Sequence, residues 1–130
     1  MKFVCFGYLD VANWMTKSPA EQTALMDRCF EYDEMLKRNG HWVSGEALAG
    51  PDKAATLRLR GGKLAVTDGP YAETKELLGG LLLIEARDLK HATELIGNHP
   101  GMNMGPWEIR ATEDISGIIA ESEKRWRGKK

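Results

Sequence analysis

Residues 2–9 alternate Phe3, Cys5 and Gly7 with Val4, Phe6 and Tyr8, so the strand they predict is uncharged on both faces between Lys2 and Asp10. Successive strand side chains point to opposite sides of a sheet, and a strand that is apolar on both sides has to be covered on both. Residues 80–86 repeat this character with a single charge at Glu85. Two such strands place a demand on the whole chain: helices cover one face of the sheet, and something else has to cover the other.

The helices are announced by local chemistry. Ser18-Pro19-Ala20-Glu21 supplies a capping serine, a proline at the first helical position and a glutamate three residues after the cap. The helix that starts at Pro19 carries an apolar stripe of Leu25, Cys29, Tyr32 and Leu36, broadened by Met26, Phe30 and Met35, and Asn39-Gly40 ends it. Asp88 caps a second helix with Leu89, Ala92, Leu95 and Ile96 on its face, stopped by His99-Pro100-Gly101.

Between the helices, residues 41–48 read as a second strand and 55–60 as a third, with Leu57 and Leu59 inward. Gly61-Gly62 is a two-residue hairpin signal that folds 63–67 back on the third strand. Residues 107–111 form the last strand of the domain. The order is that of a ferredoxin-like βαββαβ sandwich, an α+β fold with two helices on one face of an antiparallel sheet. Its open face is best buried against a second copy, which predicts a homodimer. The domain occupies residues 1–112, and 113–130 form a C-terminal helix with Ile115, Ile118, Ile119, Ser122 and Trp126 on one face, ending in a basic tail.

Eighteen Lys and Arg against nineteen Asp and Glu give a net charge of -1, which offers no general attraction to nucleic acid or to an anionic membrane. Five of the cations fall in the last seven positions, where they complement a helix C-terminus. No run of about 18 apolar residues occurs, and two isolated cysteines, Cys5 and Cys29, suit a reducing compartment, so a cytoplasmic location is expected. The cysteines and histidines lack metal-ligand spacing, and neither a phosphate-binding glycine loop nor a nucleophile elbow is present. The expectation is a protein without metal or cofactor.

What remains is acid-base chemistry. His41, at the start of the second strand, has an ordinary pKa of about 6.5 suited to proton transfer, and equally suits packing beside Trp42. His99 is read as a helix-stop residue and His91 as a solvent-facing one. Tyr8 and Tyr71 can offer hydroxyls to a polar ligand or simply fill the core. In Asp68-Gly69-Pro70-Tyr71-Ala72-Glu73-Thr74-Lys75-Glu76, Gly69 and Pro70 force a turn that Asp68 can close on itself, and the charges that follow either line a cleft or stay solvated.

This nonapeptide, with Gly45-Glu46-Ala47-Leu48 and Leu78-Gly79-Gly80, resembles the DGPF-domain branch of the YCII-related proteins, Tyr71 standing where those proteins carry Phe. The resemblance implies a dimeric α/β-barrel with a small-molecule pocket. In the shorter YCII-type proteins a histidine of the first helix pairs with an aspartate as the suspected dyad, whereas no histidine occurs between Pro19 and Arg38 here. Two functions follow as expectations. The first is a cofactor-independent enzyme of isomerase or lyase type, with Asp68 and His41 catalytic and Tyr8, Tyr71, Glu73 and Lys75 binding substrate. The second is a non-catalytic ligand-binding module associated with an extracytoplasmic-function sigma factor, a partner that the resemblance suggests.

Overall fold

The computed structural model describes residues 1–72 and 75–129. Its elements run β1 (Lys2–Asp10), α1 (Val11–Met15), α2 (Pro19–Arg38), β2 (Trp42–Ala47), β3 (Ala55–Arg60), β4 (Lys63–Asp68), β5 (Glu76–Glu85), α3 (Leu89–Gly97), β6 (Trp107–Ala111) and α4 (Ser116–Arg127). One antiparallel sheet has the order β2-β5-β1-β6, and β3 and β4 form a separate two-stranded sheet. Without that hairpin and the short α1, the order is the ferredoxin-like βαββαβ, with β5 lying between β1 and β2.

The capping box forms: the Glu21 amide donates to Ser18 Oγ over 3.1 Å and the Ser18 amide to Glu21 Oε1 over 3.0 Å. These bonds serve amides that the first helical turn leaves unpaired. At the other end Gly40 adopts φ 76°, a left-handed conformation that glycine takes without steric cost. Leu25, Cys29 and Leu36 of α2 are buried, as are Ala92 and Ile96 of α3. Below the helices lie Phe3, Cys5, Leu82 and Ile84, with Trp42, Trp107 and Ile109 packed beside them. The Tyr32 hydroxyl donates to the Leu95 carbonyl and ties α2 to α3.

The opposite side of the sheet presents Val4 registered with Leu83 and Phe6 with Leu81. Arg110 and Glu108 lie beside them on β6. Val4, Phe6, Leu81 and Leu83 are half-buried, so these strands are apolar on both sides as the sequence indicated.

Two expectations are corrected. Leu57 and Leu59 are not inward; they are 61% and 76% exposed. The reason is that β3 pairs with β4 alone, so the hairpin leaves the sheet as an arm instead of continuing it. His91 is half-buried rather than solvent-facing, because its ring folds back so that Nδ1 accepts the Arg87 amide. The hairpin turn itself is as read, with Gly61 at φ 57° and Gly62 at φ 78°. No residue of α4 is buried. Among the described residues no helix is long and apolar enough to cross a membrane.

Candidate functional site

The helix-facing side of the sheet has a gap in its side-chain layer. Gly80 is registered with both Gly7 and Ala47, and Gly45 with Leu82, so three strands present almost bare backbone beneath α2. The result is a cavity of about 620 Å³. Its floor is set by contacts that forbid side chains: a Cβ on Gly80 would lie 2.9 Å from the Glu46 carbonyl oxygen, and one on Gly7 would lie 3.0 Å from the Trp107 ring. A Cβ on Gly45 would come within 2.6 Å of Trp42. Both indoles therefore rest against glycine backbone and wall the cavity. A register shift between Gly7 and Tyr8 leaves Gly79 of β5 without an opposite residue, a bulge at the cavity edge.

The roof is α2, which contributes Met26, Cys29, Phe30, Asp33, Glu34 and Lys37. Asp33 is the chemically notable member. Its Oδ1 lies 2.8 Å from His99 Nε2, and the side chains are 18% and 5% exposed. His99 precedes the 3-10 turn Pro100–Asn103, and its Nδ1 accepts the Gly101 amide over 2.8 Å. An acceptor nitrogen carries no proton, so the ring proton sits on Nε2 and is donated to Asp33. The contact is thus a hydrogen bond from a neutral imidazole to a carboxylate. Tyr32 packs edge-on to the His99 ring at 5.0 Å, and Trp107 is tilted against it at 5.4 Å. Asp33 lines the cavity, and its Oδ1 is the atom that His99 engages.

Charge at this site is otherwise sparse. Lys37 Nζ lies 3.0 Å from Glu34 Oε1 and 4.9 Å from the centroid of the Trp42 ring. Burial pushes the Cys29 thiol up, and the charge of Asp33 one turn along the helix adds to this against a smaller opposing effect of Arg28. Cys29 is therefore a protonated thiol and not a ready nucleophile. Among the described residues no cluster of three metal-ligating side chains occurs.

Of the residues selected from sequence, the structure brings Tyr8 to the cavity lining. His41 lies elsewhere: its Nδ1 is 3.0 Å from the Glu85 carbonyl oxygen, and its ring meets His91 edge-on at 5.1 Å. Asp68 ends β4, opposite Ala55, exposed on the arm. Tyr71 is 78% exposed, with the Arg58 guanidinium 5.0 Å from its ring centroid. Lys75 is exposed, and Glu73 lies outside the described residues. The departure of the hairpin from the sheet separates Asp68 and Tyr71 from the cavity.

Sequence reading passed over the two residues that meet there. Asp33 carried a signal, since it adjoins the stripe of Leu25, Cys29, Tyr32 and Leu36 and stands four residues after buried Cys29. His99 gave none, because 66 residues separate it from Asp33. In this chain α2 supplies the carboxylate and a distant turn supplies the imidazole.

Several comparisons bear on the fold and family. A 59-residue stretch is 42% identical to an uncharacterized protein of Rhizobium meliloti (strain 1021), over 44% of this chain and 48% of that protein, so the aligned stretch spans about half of the curated relative. Among solved structures the chain is similar to the 5-chloro-2-hydroxyhydroquinone dehydrochlorinase TftG from Burkholderia phenoliruptrix AC1100, in complex with 2,5-dihydroxybenzoquinone. That likeness has a TM-score of 0.51 at 15% identity, over 87% of this chain and 94% of the other. The YCII-related domain is matched across residues 1–116, from β1 through β6 and with every element that builds the cavity, and the chain belongs to that family.

Proposed function

We propose that the protein is a small-molecule enzyme that transfers protons without a cofactor, of isomerase or lyase type, with Asp33 as its base. The observation that carries this reading is the chain of donors from the Gly101 amide to His99 and from His99 to Asp33, ending at a cavity wall. A carboxylate held by one directional bond in an apolar pocket is pre-oriented for proton transfer. Asp33 takes a proton from an acidified C–H or O–H of the ligand. In an isomerisation it returns that proton to another atom, and in an elimination the electrons of the broken C–H bond expel the leaving group. His99 is a positioning residue: its Nδ1 is engaged by Gly101, so it holds the carboxylate and does not itself collect the proton. Lys37 is the cation at the cavity that favours an oxyanion on the ligand.

The neighbouring fold of a named dehydrochlorinase supports elimination chemistry by analogy of fold alone. The half-buried Val4, Phe6, Leu81 and Leu83 support a homodimer joined through the open sheet face.

The test is proton exchange in D2O, followed by NMR over a panel of enolisable ketones and hydroxylated rings. Active compounds gain deuterium with the natural protein. The rate falls by about 10²–10⁴ with Asp33→Asn and is retained by Asp68→Asn and His41→Gln. Exchange that survives Asp33→Asn and disappears with Asp68→Asn returns the base to the turn. Binding without exchange by any compound favours the regulatory, sigma-factor-associated reading instead.

A further inference from the structure

The β3–β4 hairpin is an amphipathic arm whose apolar side is exposed. Leu57 is registered with Val66 and Leu59 with Leu64, so all four project from one face. Each is more than half exposed, from 57% at Val66 to 76% at Leu59. The other face is tied back at its root, where Thr56 Oγ1 donates to the Gly69 carbonyl over 2.9 Å and Gly69 donates to the Ala54 carbonyl over 2.8 Å. A paired, rooted hairpin that presents four large apolar residues to water is a surface built for a partner.

Area identifies the kind of partner. The chain exposes 9367 Å². A compact monomer of 14.5 kDa is expected to expose about 6,900 Å². The difference is roughly 2,500 Å² per copy, or about 5,000 Å² for a pair, at the upper end of what obligate homodimers bury. Charge points the same way. From Ala55 to Asp68 the hairpin has three cations, Arg58, Arg60 and Lys63, against one carboxylate, Asp68, whereas the rest has fifteen cations against eighteen carboxylates. A basic arm thus complements the acidic body of a second copy.

We infer that the β3–β4 hairpin is an intersubunit arm whose Leu57, Leu59, Leu64 and Val66 close on a second copy of this chain. The inference rests on the homodimer proposed above and goes beyond it, because an interface confined to the open sheet face leaves the arm unused. Leu48, on the segment that leads from β2 toward the arm, donates its amide to the Gly79 carbonyl of β5 at 2.9 Å, and both residues line the cavity.

Sedimentation equilibrium across the micromolar range tests this with the natural chain, the Leu59→Ser/Leu64→Ser double variant and the single Leu59→Lys variant. The substitutions lie outside the core, and far-UV circular dichroism with thermal unfolding verifies that each variant is folded. The expected result is a dimer for the natural chain and a dissociation constant raised at least about 100-fold in both variants. A natural dimer that both variants preserve overturns the arm while leaving the sheet-face dimer standing. A monomeric natural chain overturns both, and a monomer that sediments with anionic vesicles through the arm reassigns that surface to a membrane.

Discussion

Replacing Gly101 with alanine tests whether the placement of His99 matters to the site. A Cβ at Gly101 would stand 2.9 Å from His99 Nδ1 and 3.0 Å from Trp107 Cζ2, whereas ordinary contact begins at 3.4 Å. The imidazole has to retreat by about 0.5 Å, and it is fixed on both sides by bonds of 2.8 Å, one from the Gly101 amide and one to Asp33. Overpacking of this kind costs about 1–3 kcal/mol. For 130 residues the unfolding entropy is about 0.27 kcal/mol/K, so Tm falls by about 4–11 °C. A displaced carboxylate also loses its alignment with the ligand, so deuterium exchange drops by about 10-fold or more. Calorimetry gives the first quantity and NMR exchange the second. Ala92→Val is the control, since it crowds the buried core beneath α3 without lining the cavity. The reasoning is refuted if Gly101→Ala keeps both Tm and exchange, or if exchange in the two variants falls only in proportion to Tm.

Two further outcomes follow from the ends and the core of the fold. Ser18→Ala removes the acceptor for the Glu21 amide and costs about 1 kcal/mol, or about 4 °C in Tm by calorimetry. Separately, the Ser18 backbone amide, then its hydroxyl, hold the Glu21 carboxyl below its ordinary value, so the contribution of that contact is present above pH 4.5 and is lost as pH falls. Burial pushes the Cys5 thiol from an ordinary 9.0 up to about 12. The unfolded chain releases that proton first, so stability falls as pH rises from about 9 toward about 12, and denaturant titrations show a shallower alkaline decline in Cys5→Ala.

The fold was legible because its signals are local and agree with one another. The capping box places the start of α2 at Pro19, Asp88 marks the start of α3, and Gly61-Gly62 marks a turn whose two positive φ angles only glycine adopts readily. The hairpin misled at the next level. Its alternation gives the correct faces, but alternation cannot say whether the inner face is covered by this chain or by another, and Leu57 and Leu59 look the same in either case.

The site shows the same limit at longer range. The DGP turn is prominent because Gly69 (φ 99°) and Pro70 act on their own neighbours, and the arm then carries Asp68 away from the sheet. The cavity depends instead on absences that coincide only once strands are registered: Gly7 beside Gly80, Gly80 beside Ala47, and a bulge at Gly79. Each glycine read alone suggests a turn or a weakened strand. Registered together beneath α2, they leave room for a ligand directly below Asp33. What the sequence did offer was a carboxylate next to a buried helical stripe, which is costly unless paired. The useful inference from such a residue is that a donor must exist somewhere in the fold, and here that donor is His99, set by Gly101 in the turn after α3.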